Sequence, residues 1–192
     1  MKYNIEYLKL SYRILQEDID AIDFQFFSPD SSSAETLLTS NYLSQSWIAP
    51  FKVNGVTFPT AEHWMIYQKA RLFEDQEIAA KVMSTKHPDD VKSLGRKITG
   101  FVEEVWDCHK YNIVLEGNYC KFLQNESLLN ILLATKTAIL AEASSTDEVW
   151  GIGLSMEDNR IRNPLLWPGQ NLLGFALMEV RDLLIENYEN EK

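Results

Sequence analysis

Asn54-Gly55-Val56-Thr57-Phe58-Pro59-Thr60-Ala61-Glu62-His63-Trp64-Met65-Ile66-Tyr67-Gln68-Lys69-Ala70-Arg71-Leu72-Phe73 is the stretch on which the fold turns. With Phe51-Lys52-Val53 ahead of it, the Asn-Gly pair lies between two short β-prone runs, a strong hairpin signal. Thr60 then stands where a helix N-cap belongs, and Glu62 sits in the first turn, where the helix dipole favours an acid. The pattern predicts a hairpin running directly into a helix over 61–73.

That helix carries two charges in unexpected places. At about 100° per residue, Ala61, Met65 and Leu72 fall on one side of an arc and Ile66, Ala70 and Phe73 on the other. Glu62 and Lys69 land in the middle, at about 100° and 80°. A surface helix puts its charges opposite its apolar stripe. The two cannot pair along the helix, because such pairs form at i,i+3 and i,i+4. Seven residues rise about 10.5 Å, room for a small molecule between carboxylate and amine. A desolvated lysine becomes a usable nucleophile, and a carboxyl group in apolar surroundings an acid or base. The alternative is that each charge pairs elsewhere in the fold, or that Lys69 reaches out to solvent along its aliphatic stem.

Outward from this segment, the chain is mostly helical. Ile5, Leu8, Tyr12, Leu15, Ile19 and Ile22 recur at helical spacing, so an amphipathic helix is expected over 5–22. It packs on its own domain or forms a dimer seam. Phe24 to Phe27 reads as a strand, and Ser28-Pro29-Asp30-Ser31-Ser32-Ser33 as a loop. Further helices fit 76–84, 88–94, 103–124, 128–134 and 171–187, with a strand over 137–142. The fold class is α+β: one predominantly helical domain with a small antiparallel hairpin or sheet. Its organisation is an N-terminal amphipathic helix (1–23), the domain proper (24–185) and a polar tail (186–192).

Composition narrows the partners. The 192 residues are 45% hydrophobic and 24% charged, with a formal net charge of −10. Such a chain builds a core without staples, and it repels long polyanions that a nucleic-acid binder would grip with a basic face. No apolar run reaches the ~18 residues a membrane span needs, and the first residues lack a signal-peptide core. A soluble, cytoplasmic protein is expected, with no membrane partner. Cys108 and Cys120 stand apart without a CxxC motif and read as reduced packing residues. The three histidines have no ligand spacing, so neither metal nor cofactor is expected. Oligomeric state is not fixed by these features.

Other segments fit a ligand. Asp147 precedes Trp150-Gly151-Ile152-Gly153, where two glycines let backbone approach closely. Trp106 and Trp150 can stack on a base or fill the core. Gly169-Gln170-Asn171-Leu172-Leu173-Gly174 opens the last helix; it can offer amides to an anion, with Asn171 as N-cap. Leu94-Gly95-Arg96-Lys97 places two cations after a helix end, for phosphate or for the helix C-terminus.

In order along the chain, these stretches resemble the YbiA-like family, also called NADAR. The matching runs are Leu43-Ser44-Gln45-Ser46-Trp47, Ala49-Pro50-Phe51, Asn54 to Trp64, Gln68-Lys69-Ala70-Arg71, Leu94-Gly95-Arg96, Trp106, Lys121-Phe122 with Gln124-Asn125, Glu142-Ala143-Ser144 with Asp147, Trp150 to Gly153, and Asn171 to Gly174. They span residues 24–183. Many members carry Leu-Ser-Asn-Phe where this chain has Leu43-Ser44-Gln45-Ser46, so the amide at Gln45 lies one methylene further out.

The resemblance implies an N-glycosidase that cuts a ribose C1–N bond. Two substrate classes go with it: phosphorylated ribosylaminopyrimidine intermediates of riboflavin synthesis, and ADP-ribose joined to guanine in nucleotides or DNA. It also implies a role for the misplaced charges, with Glu62 protonating the leaving nitrogen and Lys69 capturing the opened sugar as a Schiff base. Asp147 would steady positive charge or orient water. Trp106 and Trp150 would clamp the base, Arg96 and Arg71 would hold phosphate, and Gln45 and Asn171 would contact substrate. A non-catalytic ADP-ribose or NAD reader is the competing expectation, and an assembly module built on the 5–22 helix a third.

Overall fold

The computed structural model describes residues 1–15, 22–29 and 41–190. It is a predominantly helical α+β fold of seven helices and two small strand pairs among the described residues. The chain divides into two compact units, Gln45–Leu129 and the pair of segments Met1–Ser44 with Asn130–Lys192.

The Gln45–Leu129 unit grows from the hairpin. Strands β2 (Phe51–Val53) and β3 (Val56–Phe58) pair antiparallel, Phe51 opposite Phe58. Asn54 (φ 49°) and Gly55 (φ 82°) both take positive φ, as a type I′ turn demands. Helix α2 (Ala61–Leu72) follows, capped by Thr60, whose hydroxyl accepts the His63 N–H. Around it pack α3 (Gln76–Ser84), α4 (Pro88–Gly95) and α5 (Glu103–Gln124).

Two contacts set the α2–α5 crossing. The Trp64 indole donates to the Ile113 carbonyl at 2.7 Å, and it lies so close to Gly117 that a Cβ there would stand 2.2 Å from the Trp64 ring. Phe51, Val53, Phe58 and Trp64 form the buried cluster on this side, with Tyr67, Ile113 and Cys120 packed against it. The far end of α5 clasps the hairpin. The Gln124 side chain exchanges two 2.8 Å hydrogen bonds with the Lys52 backbone.

In the other unit, β1 (Phe24–Phe27) pairs with β4 (Ile139–Glu142) in parallel. The sequence pattern anticipates only antiparallel pairing. A parallel pair needs a long crossover, and here more than a hundred residues separate the strands. Helix α7 (Leu172–Asn190) packs on β4, and α1 (Ile5–Ile14) buries Leu8 and Tyr12. The remainder of the helix expected over 5–22 falls on residues 16–21, outside the described residues, as does most of the serine-rich loop. Helix α6 (Glu126–Ala134) begins two residues before its expected start. Helix α7 runs to Asn190, so the expected polar tail is helical through that residue and exposed.

Both cysteines are free. Cys120 is half-buried against the hairpin cluster, but Cys108 is exposed rather than packed. Among the described residues no helix is long and apolar enough to cross a membrane.

Candidate active site

The first turn of α2 starts under a loop that Gln45 anchors. The Gln45 carbonyl accepts the Glu62 N–H at 3.0 Å, and the Gln45 amide nitrogen lies 3.6 Å from the Met65 sulfur. Gln45 and Glu62 are both about 6% exposed. The Glu62 carboxyl is thus largely withdrawn from water.

Two turns along, Lys69 is half-buried. Its Nζ stands 4.2 Å from the Phe101 ring centroid and 5.3 Å from that of Trp106, and donates to the Gly95 carbonyl at 3.4 Å. That carbonyl is within reach because Gly95 lets α4 approach α2: a Cβ there would lie 2.6 Å from Ile66 Cδ1. Desolvation lowers the Lys69 pKa, enlarging the fraction of neutral, nucleophilic amine. The two rings also give the niche a flat apolar surface of the kind on which a planar ring stacks.

Phe101 carries no signal of its own in the sequence. It sits in an aperiodic loop after Gly100 and is fixed by edge-on packing with Phe73, 5.2 Å between centroids.

Of the two expected phosphate cations, Arg96 is exposed at the end of α4. Arg71 is exposed too, and its guanidinium bonds Gln76 at 3.2 Å. Two helical positions, about 200°, separate Arg71 from Lys69, so it leaves α2 on nearly the opposite side.

The other unit holds Asp147, Trp150 and Asn171 on one loop. Asp147 Oδ1 accepts the N–H groups of Val149 (3.0 Å) and Trp150 (2.8 Å), fixing the backbone that presents the half-buried Trp150. The carbonyls of Glu148, Val149, Trp150, Gly151 and Ile152 receive the N–H groups of residues 169–173. The amides expected to greet an anion at the start of α7 are therefore already bonded. Asn171 is fully buried with φ 55°, outside N-cap geometry. Its Nδ2 donates to the Leu140 carbonyl (2.9 Å) and its Oδ1 accepts the Glu142 N–H (3.1 Å). Both ends of this amide are spent on β4. Asn171 is a bracket between helix and strand rather than an N-cap.

Helix α5 also buries Lys121 completely, and desolvation brings its pKa down to about 7. Unfolded, the amine binds its proton below the ordinary 10.5; folded, only below about 7. Between those values the unfolded chain holds more protons, so the folded state gains stability as pH rises, and below 7 the full cost of burying the ammonium remains. Thermal melts of the wild type and Lys121→Met from pH 6.5 to 10 should show the wild type gaining on the variant by several degrees. A constant difference across that range contradicts the buried amine.

With this geometry in view, similar proteins can be placed beside it. The NADAR domain model matches residues 26–185. The chain belongs to the NADAR family. "N-glycosidase R617" of Acanthamoeba polyphaga mimivirus is 41% identical over 133 residues, 68% of this chain and 78% of that protein. "N-glycosidase YbiA" of Escherichia coli K12 is 31% identical over 135 residues, 70% of this chain and 76% of its own. The NMR structure of E. coli YbiA superimposes with a TM-score of 0.65 at 28% identity, covering 88% of this chain and 90% of that one. The chloroplastic riboflavin biosynthesis protein PYRR of Zea mays is 29% identical over 88% of this chain, which spans 28% of that longer protein. In this NADAR chain, Glu62, Lys69 and Trp106 share the Gln45–Leu129 unit, whereas Asp147 and Trp150 belong to the other.

Proposed function

We propose that this NADAR protein hydrolyses the ribose C1–N bond of a small phosphorylated ribosyl compound through a lysine Schiff base. It is an N-glycosidase, a hydrolase acting on N-glycosyl compounds, by family and by its relatives. The observation that supports the finer mechanism is the half-buried Lys69 amine, set against aromatic rings on the same helix as the buried Glu62.

The steps balance with side chains and water alone. Glu62 donates a proton to the leaving nitrogen as the C1–N bond breaks, and positive character grows at C1. The neutral Lys69 amine attacks C1 and gives up a proton to solvent, from which the Glu62 carboxylate is reprotonated. The bond from C1 to the ring oxygen then opens, leaving an iminium between C1 and Nζ with the electron pair on the oxygen, which takes up a proton. Water adds to the iminium, and collapse frees the sugar aldehyde and the amine.

Trp106, beside Lys69, supplies a flat surface for the base; in the other unit, Asp147 holds the Trp150 loop in shape. Arg96 is the cation for phosphate. Two substrate classes fit this chemistry, ribosylaminopyrimidine phosphates of riboflavin synthesis and ADP-ribosylated guanine. A net charge of −10 favours a free nucleotide or one extruded base over extended duplex contact.

Borohydride added during turnover on a panel of both classes, followed by peptide mass spectrometry, tests the mechanism. A reduced sugar adduct on Lys69 is expected. Product formation with no adduct anywhere overturns the Schiff base in favour of direct attack by water.

A further inference from the structure

We propose that Asn118 is a specificity-determining residue of this site: its amide oxygen, with that of Gln45, receives the hydroxyl groups of the ribose whose C1–N bond is cut. The proposal rests on the reading of the site as a ribosyl pocket.

The α2–α5 seam has two flanks. Trp64 meets Ile113 and Gly117, and Lys69 meets Trp106, so the helices run antiparallel. Trp64, Tyr67, Ile113 and Cys120 face the hairpin cluster on one flank. Glu62 and Lys69 lie roughly 140–200° around α2 from Trp64 and Tyr67, and Asn118 about 140–160° around α5 from Ile113 and Cys120. They share the opposite flank. Glu62, two residues before Trp64, is level with the turn of α5 that carries Gly117 and Asn118. Side chains lean toward the start of their own helix, which in an antiparallel pair brings facing groups together. Gln45 lies against the same first turn of α2, its carbonyl on the Glu62 N–H and its amide nitrogen on the Met65 sulfur.

Both amides lack something. Asn118 is fully buried and its Nδ2 donates to the Val114 carbonyl at 2.9 Å, which fixes which end is oxygen. Among the described residues its Oδ1 has no hydrogen-bond partner, and neither does Gln45 Oε1. A buried acceptor left unpaired costs about 1–3 kcal/mol, and folded proteins leave few of them. Two on one flank call for a ligand that brings donors. A phosphate brings none when ionised. A ribose brings hydroxyls, and the one on C2 adjoins the carbon whose bond to nitrogen Glu62 serves. Hydrogen bonds to that hydroxyl strengthen as charge develops at C1.

The test compares binding of ribose 5-phosphate and 2-deoxyribose 5-phosphate by calorimetry, since this sugar phosphate is common to both substrate classes. The wild type should prefer the ribose form about tenfold or more, the equivalent of one buried hydrogen bond. Asn118→Leu, close in size but without the acceptor, should bring the ratio within about twofold, while Asn118→Asp retains the preference. If Asn118→Leu does not fold, Asn118→Ala is read the same way. A folded Leu or Ala variant with the wild-type ratio overturns the proposal. So does a wild type that binds both sugars equally, which leaves the ribosyl reading intact. A wild type that binds neither sinks both.

Discussion

Lys69→Ala should lose kcat/KM by ~10³-fold or more on whichever substrate class the wild type turns over, with affinity changed only a few-fold. In the proposed mechanism the amine is the nucleophile, and no other residue of α2 carries a primary amine to form an imine. Lys69→Arg should be as inactive, because a guanidinium keeps its charge and the cation–π contacts with Phe101 and Trp106 but has no nucleophilic pair to give. That comparison separates chemistry from packing. Steady-state assays with both variants, paired with calorimetric binding, decide the matter. A reader of ADP-ribose with no chemistry of its own would show no turnover to lose in the wild type. Turnover retained in Lys69→Ala would move the nucleophile elsewhere.

Glu62→Gln should cost about 10²- to 10⁴-fold in kcat, the usual worth of a positioned general acid. The side chain keeps its size, and its backbone N–H still bonds Gln45, so the helix start should survive. The loss should depend on the leaving group. A ribosyl pyridinium leaves as a neutral ring and needs no proton, so the variant should recover most of its activity on such a substrate. Equal losses on protonated and pre-charged leaving groups would show that Glu62 acts on the sugar or on water instead.

The α2 region was legible because its signals are local. Asn54-Gly55 dictates its own turn, Thr60 its own cap, and a wheel exposes Glu62 and Lys69 on the wrong side. Burial of Glu62 and partial burial of Lys69 follow from that placement. What periodicity cannot carry is long-range pairing. Nothing in Phe24–Phe27 announces a parallel partner at Ile139–Glu142. Asn171 looked like a cap from its neighbours, yet a positive φ turns its amide toward β4. Phe101 contributes a wall of the Lys69 niche from a loop with no repeating pattern to read. Asn118 was hidden differently: a lone amide in a long helix looks like a surface residue until its neighbours are shown to cover it.

The ladder of five carbonyls from residues 148–152 to the amides of 169–173 has a dynamic consequence. Trp150 cannot swing aside as a hinged flap would, because peeling its arch away means unzipping the opening turn of the longest helix in its unit. The indole is therefore held at one fixed place within its own unit.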